Sequence, residues 1–224
     1  MSFGDKKLSE IAVSVPGSTS LLREYDLDFC CGGSDTLANA AAEKGLNLAE
    51  IETRLTELQN SKAENPEEYW VDANYGEVID HILVRYHQRH REQLQELIVL
   101  ADRVESVHGD RDDCPIGVAT ELRNVYEDLS NHMMKEEHVL FPMIKAGNYM
   151  MAQMPIRMME MEHAEHGEHL DVLKSLTNNM TPPADACNTW RALYSGIQEF
   201  ADDLMMHIHR ENNILFPRVI AENH

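Results

Sequence analysis

One pattern, D-L-x2-H-x3-E-x3-L-F-P, occurs twice: DLSNHMMKEEHVLFP from Asp128 to Pro142 and DLMMHIHRENNILFP from Asp203 to Pro217. A second pattern, H-x2-H-x-E-x-L, also occurs twice, as HQRHREQL from His87 and HAEHGEHL from His163. Spacings of three and four put all these residues on one face of a helix. A chain that repeats two helical motifs in the order A, B, A, B is constrained to a doubled helical hairpin, with equivalent residues facing each other across one core.

The apolar period extends the four motifs into four long helices. They are expected over about 75–107, 117–146, 153–177 and 185–214. Their inner stripes are Leu83, His87, His90, Leu94, Leu97, Ala101 and Val104; Leu122, Val125, Leu129, His132, Glu136 and Leu140; Met159, His163, His166, Leu170 and Leu173; and Leu193, Ile197, Phe200, Leu204, His207, Glu211 and Ile214. Breakers such as HGDRDDCPIG and NNMTPPAD separate them. The expected fold is all-α, an up-down-up-down four-helix bundle over residues 75–224. Residues 1–62 read as a small helical domain of short, punctuated helices, and 63–74 as a polar linker. In the small domain, Ser34-Asp35 is expected to cap one helix, and Asn47 with Glu50 to form a capping box for the next. The paired glycines of FCCGG are expected to supply the positive φ of a tight turn.

Each long helix thus carries a histidine on its inner stripe at similar height, and two add a glutamate one turn later. Four imidazoles and two carboxylates in an apolar bundle are costly without a counter-ion. A metal relieves that cost. Six donors in twofold arrangement exceed one tetrahedral zinc and suit two metals bridged by carboxylates, iron first, with manganese or zinc as competitors. Asp128 and Asp203 lie one turn before His132 and His207, where they can accept the free ring N–H. Periodicity does not decide whether the first or second histidine of H-x2-H is the ligand, so His90 and His166 stay open beside His87 and His163. His81, His108, His138, His169, His209 and His224 fall off the shared pattern and read as surface residues. The 13 methionines read as core filling.

Bulk properties exclude other classes. A formal charge of −20 disfavours nucleic-acid binding. No apolar run is long enough for a membrane span, and no secretory signal is read. Four cysteines without such a signal suit a reducing cytoplasm.

The motifs RYHQRHREQL, HMMKEEHVLFPMI, MEHAEHGE and HIHRENNILFPR, with YDLDFCCGG near the start, resemble the iron–sulfur cluster repair di-iron family, the RIC proteins of YtfE and ScdA type. The likeness covers essentially the whole chain. It implies a hemerythrin-like bundle with two iron ions, oxo- or hydroxo-bridged, held by His87, His132, His163 and His207 with Glu136 and Glu211 bridging. It implies a cytoplasmic protein that helps restore iron–sulfur clusters damaged by nitric oxide or oxidation, by iron donation, nitric oxide chemistry, or both. Implied partners are damaged iron–sulfur proteins or a scaffold, NO or O2, and an electron donor; a homodimer is compatible with this. Cys30 and Cys31 are the candidate redox thiols, and no other catalytic residue is assigned. The competing reading is a hemerythrin-like protein that binds or senses O2 or NO without turnover.

Overall fold

The computed structural model describes residues 2–61 and 65–222. The chain divides into two compact units, Ile79–Met205 and Met1–Val78 with Met206–His224.

Ile79–Met205 holds the body of the four-helix bundle. The first rod runs through α6 (Tyr75–His81), a π-helical turn (Ile82–His87) and α7 (Gln88–His108). The second is α8 (Val118–Lys135), a π turn (Glu136–Leu140) and α9 (Phe141–Lys145). The third is α10 (Tyr149–Leu176), and the fourth begins as α11 (Asn188–His209). The expected stripes are buried with one exception: Leu83 is half-buried, and Ile82 and Tyr86 are buried instead. The wider π turn rotates the face by about a residue, which an unbroken 3.6-residue period does not anticipate. Trp190, Leu193, Ile197 and Phe200 fill the core from the fourth rod. Gly196 leaves room there for Leu97, since a Cβ on it would lie 2.6 Å from Leu97 Cδ2.

The methionines divide. Met133 and Met159 are buried, but Met150, Met151, Met154, Met158 and Met161 are exposed on α10, so core filling describes only part of the set. Doubled methionines necessarily place one neighbour off the inner stripe.

The other unit contains α1 (Leu8–Ser14), α2 (Ser18–Glu24), α3 (Leu37–Glu43), α4 (Leu48–Asn60) and α5 (Pro66–Asp72). It also holds the end of the fourth rod, a π turn (Arg210–Leu215) followed by α12 (Phe216–Ala221). Among the described residues there is no strand, only an isolated bridge between Lys7 and Thr36. The cap of α3 is Thr36, whose side chain accepts from Asn39 N; Asp35 instead accepts from Thr36 N. Thr36 has the extended backbone an N-cap needs, one residue after the expected pair. Asn47 accepts from Glu50 N, one half of the expected box. Within the expected linker, Asn65 caps a real helix, α5, with Pro66 at its first turn and Glu67 and Glu68 against the helix dipole. Residues 62–64 lie outside the described residues.

The glycines of FCCGG act through space, not through positive φ. Neither Gly32 nor Gly33 has φ in the left-handed region, but a Cβ on Gly33 would stand 2.5 Å from the Phe29 carbonyl oxygen.

Candidate metal centre

The π turns mark the site. His87 closes the first, Glu136 opens the second, and Glu211 lies in the third. In the second and fourth rods the turn is followed by Phe-Pro, at Pro142 and Pro217. Proline has no N–H to donate to residue i−4, and its ring crowds that carbonyl. A widened turn just before it lets the rod continue, which is why the fourth rod runs past the expected end at 214 to Ala221.

Glu136 is fully buried, and its two oxygens face different imidazoles. Oε2 is 3.2 Å from His87 Nε2, and Oε1 is 3.4 Å from His132 Nε2. His163 Nε2 lies 3.1 Å from His132 Nε2. The far nitrogens explain this arrangement. His87 Nδ1 is 2.8 Å from Glu137 Oε1, and His132 Nδ1 is 2.9 Å from Glu162 Oε2. Each Nδ1 carries the proton that its carboxylate accepts, so each Nε2 presents a lone pair inward. Two imidazole nitrogens about 3 Å apart are the span of neighbouring ligands on one ion with metal–nitrogen bonds of ~2.1 Å.

The outer carboxylates are held as acceptors. The hydrogen bond to His132 comes first in lowering Glu162, to about 2, with Lys135 assisting against burial. At Glu137 burial pulls upward, but Arg91 and His87 outweigh it and keep the carboxyl below its ordinary value. His207 Nε2 lies 3.3 Å from Glu211 Oε1, both residues buried.

The donor atoms form two groups, each within 4.8 Å throughout: His87, Glu136, His207 and Glu211, and His132, Glu136, His163 and Glu211. Each has two imidazoles and two carboxylates, and both carboxylates belong to both groups. That donor set fits two cations of the kind that take mixed nitrogen and oxygen ligands. His90 and His166 are buried but belong to neither group; His90 packs edge-on to Phe200 and His166 edge-on to His132.

Asp128 and Asp203 have other company than the sequence suggested. Asp128 takes His169 Nε2 at 3.1 Å, while Glu162 holds the His132 ring. Asp203 accepts from Arg85 at 2.6 and 3.0 Å and from Gln93 at 3.4 Å. A carboxylate on the same helix is displaced along the axis from the ring, whereas Glu137 and Glu162 reach His87 and His132 from the neighbouring helix. Glu137 and Glu162 were missed because the pairing crosses helices; their signal was only adjacency, one residue after Glu136 and one before His163.

His209 is fully buried, not a surface residue. Asn213 Nδ2 donates to its Nδ1 (2.8 Å) and to the Phe29 carbonyl (2.8 Å), so Nε2–H faces Glu67 Oε2 at 3.3 Å. Burial holds the imidazole neutral by lowering its pKa, against the pull of Glu67. Glu67 is also paired with buried Arg210 at 2.5 Å, and Arg210 stacks over Trp70. Asn212 Nδ2 donates to the Cys30 carbonyl at 3.1 Å. Burial would raise Glu67; the His209 hydrogen bond and the Arg210 charge outweigh it. His81, His108 and His169 are half-buried, His138 is exposed, and His224 lies outside the described residues.

Residues 78–219 match the hemerythrin HHE cation binding domain, and residues 4–59 match the ScdA_N domain of unknown function. The chain is 68% identical over 222 residues to the "Probable iron-sulfur cluster repair protein" of Haemophilus influenzae, covering 99% of this chain and 100% of that protein. It is 54% identical over 221 residues to the iron-sulfur cluster repair protein YtfE of Musicola paradisiaca, covering 98% of each chain. Against YtfE of Escherichia coli O81 it is 54% identical over 222 residues, covering 99% of each. With both parts matched and relatives aligned from end to end, the chain belongs to the YtfE-type iron–sulfur cluster repair family, built on the hemerythrin HHE domain.

Proposed function

We propose that the chain holds two iron ions among His87, His132, Glu136, His163, His207 and Glu211, and that it restores damaged iron–sulfur clusters, as the names of its relatives say of them. The observation that carries this reading is Glu136, whose two oxygens face imidazoles of two donor groups. A buried carboxylate so placed would hold a cation on each side. Imidazole with carboxylate suits iron.

Bound iron would supply an exchangeable, redox-active metal for donation to a cluster or for nitric oxide chemistry. The protein's own contribution is positional. Glu137 and Glu162 keep the Nδ1 protons of His87 and His132 and so fix which nitrogen points inward. Phe141, ring-stacked on His87, walls that side. Leu129, Leu140 and Ile214, buried one turn from His132, Glu136 and Glu211, add apolar bulk that strengthens electrostatic interactions there. No helix among the described residues is long and apolar enough to cross a membrane. Separately, four cysteines without a disulfide support work in a reducing compartment such as the cytoplasm.

The test is metal analysis of anaerobically purified full-length protein, followed by incubation with an enzyme stripped of its cluster. Two irons per chain with oxo-bridged absorption, and recovery of the enzyme that Glu136→Ala does not give, are expected. One zinc per chain, or equal recovery with the variant, overturns the reading.

A further inference from the structure

The turn from Asp28 to Gly33 carries a second set of donors that the bundle site does not use. Asp28, Cys30 and Cys31 each offer an atom within 4.8 Å of the other two. Cys30 Sγ is 3.9 Å from Cys31 Sγ and 3.1 Å from Asp28 Oδ1. Two sulfurs bound at ~2.3 Å to one tetrahedral ion stand ~3.8 Å apart, so the thiols already have the span of a chelate. A disulfide would need them at ~2.0 Å.

The turn is held in this form by backbone hydrogen bonds, and the two sulfurs point toward each other. Asp28 Oδ1 accepts the N–H of Cys30 and of Cys31, both at 2.9 Å, and Oδ2 accepts that of Gly32 at 2.8 Å. Gly33 permits the close pass of the Phe29 carbonyl. Asn213 and Asn212 clamp the carbonyls of Phe29 and Cys30 from the far end of the chain. Burial is graded across the site: Cys30 is buried, Cys31 half-buried and Asp28 exposed. Three donors with one side toward solvent leave a coordination position open.

We infer that Asp28, Cys30 and Cys31 form a second metal site for a thiophilic divalent cation, Fe2+ or Zn2+. It binds through two thiolates and one carboxylate, with a fourth position for water or an incoming thiolate. Thiolate donors select such ions over magnesium or calcium. On binding, two metal–sulfur bonds form and the two thiol protons leave to solvent; no electron moves. Where iron is the cargo, an open three-donor site is where a client's thiolate enters by ligand exchange. That consequence rests on the repair reading, and the site itself does not.

The test uses the full chain with its bundle iron in place, its thiols reduced, and Co2+ as the probe. A thiolate-to-cobalt charge-transfer band should saturate at one added ion per chain while the bundle iron stays constant. Modification of Cys30 and Cys31 by a thiol reagent should slow at least about tenfold. The band should be absent from the Cys30→Ser/Cys31→Ser variant at unchanged helicity and iron content. Asp28→Asn should weaken binding at least as much as the ~10–100-fold that loss of an outer partner costs. Saturating cobalt without the band, while both thiols titrate as free, overturns the site. So does a band that persists in the double-serine variant, which would belong to Cys114 or Cys187. Unchanged affinity in Asp28→Asn overturns the three-donor assignment.

Discussion

Residues 128–142 and 203–217 share their inward letters and differ in the letters between them. In the first copy the gap residues on either side of Glu136 include Lys135, Glu137 and His138. Lys135 is half exposed and pairs with Glu162 at 2.5 Å, and His138 is exposed. In the second copy the corresponding residues are Arg210, Asn212 and Asn213. Arg210 is buried on Glu67, and the asparagines hold the carbonyls of Cys30 and Phe29. One skeleton therefore serves two purposes. Its inner face is fixed by the donors, while its outer face meets solvent and neighbouring bundle helices in one copy and the N-terminal helices in the other. A polar residue on a helix that carries candidate metal donors is informative only once its neighbour is known.

The inner face should behave alike in both copies. Glu136→Ala and Glu211→Ala are each expected to remove most of the bound iron, whereas Asp128→Ala and Asp203→Ala should retain it. Metal content per chain reads this directly: unequal loss in the two glutamate variants would break their equivalence, and equal loss in all four would break their distinction from the aspartates.

The outer face should behave differently. Glu67→Ala leaves Arg210 buried without its carboxylate and should cost about 3–5 kcal/mol in denaturant unfolding. Lys135→Ala, at the matching position of the first copy, should cost about 1 kcal/mol or less, because that pair is exposed. Similar costs would mean that the two outer faces are not distinguished as described.

A smaller effect probes the cross-helix carboxylates. Glu137→Gln and Glu162→Gln should each weaken metal binding ~10–100-fold in chelator competition. Asp128→Asn, whose carboxylate takes His169, should weaken it less. If Asp128→Asn matched Glu162→Gln, the His132 ring would be oriented from its own helix after all.

The smallest expected effect tests the other repeated motif. His169 and Gln93 occupy matching positions, and each contacts the repeated aspartate, Asp128 and Asp203 respectively. Only the histidine titrates. Burial lowers its pKa, but Glu121 and Asp128 outweigh that and raise it overall. A raised histidine stabilises fully below its unfolded value of ~6.5 and loses that contribution as pH rises through the folded value. His169→Gln should therefore reduce stability by about 1 kcal/mol or less in mild acid, with the difference closing at higher pH. A gap in thermal unfolding that widens with pH would contradict the sign.

The repeat determined much of this protein without coordinates. Two motifs, each doubled at helical spacing, required four amphipathic rods with His87, His132, His163, His207, Glu136 and Glu211 facing inward, and the structure buries all six. Periodicity is a property of one helix, so it reports which side of that helix is inner. It does not report what stands opposite. The pairing of His87 with Glu137 and of His132 with Glu162, the burial of His209 and Arg210, and the clamping of the Cys30 carbonyl all join residues distant in sequence. The π turns at His87, Glu136 and Glu211 were equally hidden, because an extra residue in a turn leaves no mark in a three-and-four pattern until the next stripe slips, as it does at Leu83. The sequence alone thus set the inner faces, because apolar and ligand spacing is local. Only the tertiary structure decided the partners, because a hydrogen bond across helices depends on how the rods pack.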